Sequence, residues 1–179
     1  MLIGFAGLGR MGLPMALQLV PTGHRVLAQD PRLSSVPEGI AVVASVSGLA
    51  EAELSISMLP DGAATRELVL TGLAGAGSEH LHVVMGTVGP ALVKELATVG
   101  PVDVIDAPVS GSVSMAEAAT ITTMVGGTAE QFGRVRRLKA LAAVVSGQSS
   151  DQPPTPSRAR RPRNAPVPDE LALAFRRGP

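Results

Sequence analysis

Apolar and polar positions along the chain fall into short apolar stretches separated by segments with helical spacing. Strand-length apolar runs bounded by glycine, proline or polar residues lie at 2–6, 25–29, 40–44, 54–59, 81–85, 102–105 and 121–125. Between them, alanine- and leucine-rich segments with a 3.6-residue period predict helices at 11–20, 63–69, 90–99 and 129–145. Strands apolar on both faces, separated by crossover helices, need a parallel sheet covered on each side. The pattern therefore predicts a doubly wound α/β domain.

Composition changes this picture at one place, near Gly147. Residues 1–147 carry nine Lys/Arg and twelve Asp/Glu, a balance of −3, whereas 148–179 carry six and three, a balance of +3. The second stretch also holds seven of the fifteen prolines, a density that forbids regular helix or central strand. The expected organisation is one domain over 1–147 and a disordered Pro/Arg-rich tail over 148–179. That tail has no interleaved aromatics and no supporting module, so nucleic acid is not an expected partner. No apolar run approaches a membrane span of about 20 residues, and no basic residue precedes the first apolar run, which argues against a membrane helix or a secretory leader. A cytoplasmic protein is expected.

The chain has no cysteine, which excludes disulfides, thiolate catalysis and thiolate metal sites. Its three histidines, His24, His80 and His82, stand without a carboxylate pattern around them. His80 and His82, which alternate at the mouth of a predicted strand, are expected to be surface residues, and no metal site is expected.

The strongest local signal is IGFAGLGRMGLPMA, which places Gly7, Gly9 and Gly12 in GxGxxG spacing after a strand and before a helix. In that context Gly7 permits the tight turn, Gly9 the close approach of a pyrophosphate, and Gly12 the packing of helix on strand. Backbone N–H groups and the positive helix end then face phosphate oxygens. The next strand ends at Asp30, eighteen residues after Gly12, where a carboxylate can accept hydrogen bonds from the adenosine ribose hydroxyls. An acid there repels a 2′-phosphate and favours NAD, although Arg32, two residues on, can neutralise such a phosphate and keeps NADP open as the less favoured cofactor.

Five ordered motifs carry a family resemblance. GLGRMGLPMA at 7–16 resembles the N-terminal signature of the 3-hydroxyisobutyrate and β-hydroxyacid dehydrogenases, whose dinucleotide domain is of the 6-phosphogluconate dehydrogenase type. SMLPD at 57–61 resembles the cofactor-lining loop after the fourth strand, and MGTVGP at 85–90 the loop carrying a Ser/Thr beside the nicotinamide ribose. DAPVSGS at 106–112 is similar to the substrate-binding DAPVSGG, and ITTMVGG at 121–127 to the strand that follows. The resemblance covers about residues 1–145. It implies a Rossmann-type domain in which Gly7, Leu8, Gly9, Arg10, Met11, Gly12, Asp30, Met58, Leu59, Pro60 and Thr87 hold the cofactor. Ser110, Gly111 and Ser112 would bind the carboxylate of a small-molecule 3-hydroxy acid, with Ser112 standing where the family has a second glycine and able to narrow or re-aim the pocket.

The resemblance also implies what is not found. In the family a lysine early in an all-α C-terminal domain takes the alcohol proton. Lys94 and Lys139 both precede that position, so no catalytic residue is assigned and both lysines read as solvated helix positions. The helical domain is expected to be absent, and the change of character near Gly147 suggests a shifted reading frame or a truncation. Two functions stay open: an NAD(P)-dependent oxidoreductase by descent, impaired without its proton acceptor, and a catalytically silent dinucleotide-binding module. A helix-lined interaction protein without cofactor would require the glycine loop to be incidental. Oligomeric state is left open.

Overall fold

A computed structural model describes residues 1–33 and 35–136 and the backbone of 144–147. Six strands, β1 (Leu2–Ala6), β2 (Arg25–Gln29), β3 (Ile40–Val42), β4 (Leu54–Ser57), β5 (Leu81–Val84) and β6 (Asp103–Asp106), form one sheet in the order β3-β2-β1-β4-β5-β6. Every neighbouring pair is parallel. This is the doubly wound sheet that the alternation of elements predicts, and its order reverses between β1 and β4.

Helices α1 (Gly12–Leu19), α2 (Gly62–Glu67) and α3 (Pro90–Val99) make the crossovers, with α2 prolonged by a wider π turn at Leu68–Gly72. A single 3₁₀ segment at Val46–Glu51 connects β3 to β4. Strand alternation divides the core into two layers. Ile3, Phe5, Val26, Leu54, Ile56 and Val83 share one layer with Met15 and Leu19 of α1. Ala6, Val84 and Val104 share the other with Leu68, Val69 and Leu96. Each fully buried aliphatic or aromatic side chain contributes about 1.5 to 3 kcal/mol, so the two-sided sheet supplies most of the stability.

Beyond β6 the chain builds a smaller sheet of β7 (Val109–Ser110), β8 (Thr122–Val125) and β9 (Val144–Gly147), with β7 antiparallel and β9 parallel to β8. Helix α4 (Val113–Glu117) joins β7 to β8, and an isolated bridge between Asp106 and Gly126 ties this sheet to the first.

The structure corrects several sequence expectations. The helix expected at 129–145 is shorter: α5 spans Ala129–Arg136, and Val144 and Val145 lie in β9. Two consecutive β-branched residues suit a strand better than a helix end, and β8 offers an edge to pair with. The strand expected at 54–59 stops at Ser57, which leaves Met58, Leu59 and Pro60 in a loop. Neither β7 nor α4 was expected. His80 and His82 are not surface residues, being 2% and 0% exposed. Their ring nitrogens are satisfied by Ser55, Ser57 and the Ala52 carbonyl, which removes the usual cost of burying a polar ring. No all-helical domain is formed among the described residues, and the tail over 148–179 lies outside them. No described helix is long and apolar enough to cross a membrane.

Candidate functional site

The carboxyl ends of β1 and β4 lie side by side where the strand order reverses, and the loops leaving them open a cleft of about 420 Å³. Leu8, Gly9, Arg10, Met11 and Gly12 line it from one loop, Met58, Leu59 and Pro60 from the other, and Asp30, Arg32 and Leu33 close it at the end of β2.

The three glycines have different physical reasons. Gly7 adopts φ +88°, and a Cβ there would stand 2.5 Å from the Met58 carbonyl oxygen. A Cβ on Gly12 would stand 1.9 Å from the Gly7 carbonyl oxygen, so only glycine lets α1 start this close to β1. A Cβ on Gly9 would meet no protein atom nearer than the Arg32 Nη2, at 3.9 Å. Packing therefore accounts for two glycines and leaves Gly9 with open space beside it, as expected where a ligand's backbone-hugging group approaches. Helix α1 has no side-chain N-cap; within its first turn Pro14 has no N–H and the Leu13 N–H donates to the Gly9 carbonyl at 3.0 Å, which leaves the Gly12 N–H to face the cleft. These residues fit a dinucleotide pyrophosphate.

Asp30 locks the glycine loop to β2. Its Oδ2 accepts from the Leu8 N–H at 2.9 Å, and its Oδ1 accepts from the Arg32 N–H at 2.9 Å and from the Arg32 Nε at 3.5 Å. Burial alone would raise its pKa, but the two backbone donors and the guanidinium outweigh that and hold it below the usual carboxylate value. The Asp30 side chain is 3% exposed while that of Arg32 is 73% exposed, so the Arg32 cation stands at the mouth.

The cleft thus gathers Leu8, Gly9, Arg10, Met11, Gly12, Asp30, Met58, Leu59 and Pro60 of the expected cofactor residues, with Gly7 packed beneath them. Sequence reasoning did not place Leu33 here; its signal was an apolar residue directly after the Asp-Pro-Arg turn. Thr87 is exposed in the loop after β5 and outside this lining. Ser110, Gly111 and Ser112 are also exposed and outside it. The Ser112 hydroxyl accepts from the Met115 N–H at 3.3 Å and lies 2.8 Å from the Ser114 hydroxyl, so it caps α4. Asp106, which opens the same motif, has its pKa raised by burial. Lys94 is exposed on α3, and Lys139 lies outside the described residues. Among the described residues no group of three or more His, Asp or Glu is placed to hold a metal ion.

A parallel sheet in the order 3-2-1-4-5-6 with a glycine turn at its reversal point defines a nucleotide-binding domain of the Rossmann type. More narrowly, the chain belongs to the family described as the NAD binding domain of 6-phosphogluconate dehydrogenase, which matches residues 2–148. It is 40% identical over 145 residues to the 3-hydroxyisobutyrate dehydrogenase of Pseudomonas aeruginosa, a match covering 75% of this chain and 49% of that protein. The mitochondrial enzyme of the same name from Drosophila melanogaster is 37% identical over 143 residues, covering 75% of this chain and 44% of that protein. Among solved structures, 3-hydroxyisobutyrate dehydrogenase from Mycobacterium tuberculosis, determined with L-serine, superposes with a TM-score of 0.74 at 33% identity, covering 82% of this chain and 53% of that one. The chain therefore spans about half the length of the relatives it matches.

Proposed function

We propose that this chain is the dinucleotide-binding half of an oxidoreductase that exchanges a hydride between a nicotinamide cofactor and a short 3-hydroxy acid. The observation that carries the proposal is the unequal packing of the three glycines, with Gly7 and Gly12 hemmed in by protein and Gly9 open to the cleft. The backbone N–H groups of the turn from Gly9 to Gly12, with Arg10 and Arg32, would hold the anionic pyrophosphate. Asp30 supports NAD as the preferred cofactor, because a carboxylate there repels a 2′-phosphate; the exposed Arg32 allows weaker binding of NADP. Thr87 would flank the nicotinamide end. The bound dinucleotide supplies the hydride acceptor. Ser110, Gly111 and Ser112 would offer a hydroxyl and backbone N–H groups to the substrate carboxylate and so orient its hydroxyl carbon. L-serine, present with the tuberculosis relative, has a carboxylate and a 3-hydroxyl in that relation.

One observation favours a second reading, binding without turnover. Among the described residues Lys94 is the single lysine, and it is exposed on α3 rather than in the cleft, so no amine there can take the alcohol proton. General acid–base assistance is worth about 10² to 10⁴ in rate. Titration of the purified chain with NADH and NADPH, followed by NADH production from a panel of short 3-hydroxy acids, separates the two. Binding with turnover supports the oxidoreductase half; binding without it supports the silent module; no binding of either dinucleotide contradicts both.

A further inference from the structure

Four polar side chains cross an otherwise aliphatic layer of the core. Ser55 and Ser57 alternate along β4, and the parallel register pairs Ser55 with His82 of β5 and Ser57 with Val84. These residues lie on the face that Leu68, Val69 and Leu96 cover. His80 stands just ahead of β5, and all four residues are at most 2% exposed. The His80 Nδ1 is 2.8 Å from the Ala52 carbonyl oxygen and its Nε2 is 2.7 Å from the Ser55 hydroxyl. The same hydroxyl is 2.7 Å from the His82 Nδ1, and the His82 Nε2 is 3.0 Å from the Ser57 hydroxyl.

One end of this chain fixes the direction of every bond in it. A carbonyl only accepts, so the His80 Nδ1 carries a proton. Burial disfavours the imidazolium, lowering His80 against the opposing Ala52 carbonyl bond and holding His82 down to about 3. With both rings neutral, the His80 Nε2 accepts from Ser55, Ser55 accepts from the His82 Nδ1–H, and the His82 Nε2 accepts from Ser57. Each donor is used once.

The free end is the root of the cleft's second wall. Ser57 is the last residue of β4, and its carbonyl accepts from the Met85 N–H at 2.9 Å. The next two carbonyls wedge between neighbouring loops. The Met58 oxygen lies 2.5 Å from where a Cβ on Gly7 would be, and the Leu59 oxygen 2.7 Å from where a Cβ on Gly86 would be. A small rotation at Ser57 would therefore move the loop against both glycines.

We propose that Ser57, His82, Ser55 and His80 form a positioning chain that sets the loop at 58–60 between Gly7 and Gly86 and so shapes the cofactor cleft. Its effect on affinity rests on the dinucleotide reading above; its effect on the loop does not. Nitrogen-15 NMR of histidine-labelled protein should show both buried rings as neutral Nδ1–H tautomers at pH 8, with His82 not titrating down to pH 5.5 and His80 titrating below the ordinary histidine value. Dominant Nε2–H tautomers, or titration near the ordinary histidine value, would overturn the proposal without any variant being made. Ser57→Ala should displace the Met58 and Leu59 amide signals in the ligand-free protein and weaken NADH binding about tenfold, the scale of one lost hydrogen bond, while Ser57→Thr restores both. A lowered melting temperature with unmoved loop signals and unchanged affinity would mean a merely structural chain and would also overturn it. If the wild-type protein binds no dinucleotide, the function proposed above fails, and the loop signals still decide the positioning role.

Discussion

The two ends of the carboxyl edge of the sheet are built differently. Around β1 and β4 the backbone is pinned by close contacts: Gly7 at φ +88°, Gly12 against the Gly7 carbonyl, and the Leu8 N–H on a buried carboxylate at 2.9 Å. Beyond β6 the motif over 106–112 runs through a two-residue strand into a five-residue helix capped by Ser112. Met115 and Met124 are exposed there, and the Thr123 hydroxyl is buried without a hydrogen-bond partner among the described residues. The end proposed to hold the cofactor thus carries its own supports, while the segment over 106–112 rests on short-range capping and presents its serines to the surface. A nucleotide cleft can form within these residues. Ser110 and Ser112, proposed above to bind substrate, lie exposed and outside that cleft.

Substitutions that strike the packed end should have the largest effects. Gly12→Ala places a Cβ within 1.9 Å of backbone, so α1 must shift away from β1. Dinucleotide affinity should fall about 100-fold or more, on the scale of ~3 kcal/mol, in a calorimetric titration. Retained affinity would show that the loop has room its geometry denies.

Acid should act next, through the same packed half. His82 is held at about 3 when folded and returns to 6.5 when unfolded, so the unfolded state takes up the proton first. Stability is then greatest above pH 6.5 and falls as pH drops, by about 1.4 kcal/mol per unit, or ~2 kcal/mol by pH 5 from this residue alone. His80 is also lowered and adds in the same sense. Asp30, lowered from 3.8, gives stability present above that value and lost on further acidification, whereas Asp106, raised by burial, opposes the trend. Denaturant midpoints should hold level from pH 8 to about 6.5 and then fall to pH 5; a flat profile throughout would contradict the buried, neutral histidines.

Asp30→Ala should weaken NAD by about tenfold and spare NADP relatively, because one carboxylate both orders the loop and repels a 2′-phosphate. Equal losses for both cofactors, read by parallel titrations, would assign Asp30 to ordering the loop alone. The smallest effect belongs to the other end. Ser112→Ala removes the α4 cap at a cost of about 0.5 to 2 kcal/mol and should leave dinucleotide affinity unchanged. A loss of NADH binding in that variant would erase the division between the two ends.

The same division explains what the sequence showed. The six strands and the glycine turn were legible because apolar runs and GxGxxG spacing report constraints that act within a few residues. The fate of Ser112 was not, since capping depends on where α4 begins, and α4 is only five residues long. The helix expected through Val145 failed because β8 offered a pairing edge to Val144 and Val145, a contact made across the fold. The histidines misled for a related reason. His80 and His82 alternate as surface residues would, and only the register with Ser55 and Ser57 shows that each ring nitrogen has a partner.

The open side of Gly9 is where a dinucleotide is proposed to approach. Gly9→Val tests it most directly, because no protein atom lies nearer than 3.9 Å to the new Cβ and the fold should not object. The melting temperature should be unchanged while NADH binding falls at least about 100-fold, close to abolition. Unchanged melting together with unchanged NADH affinity would contradict it.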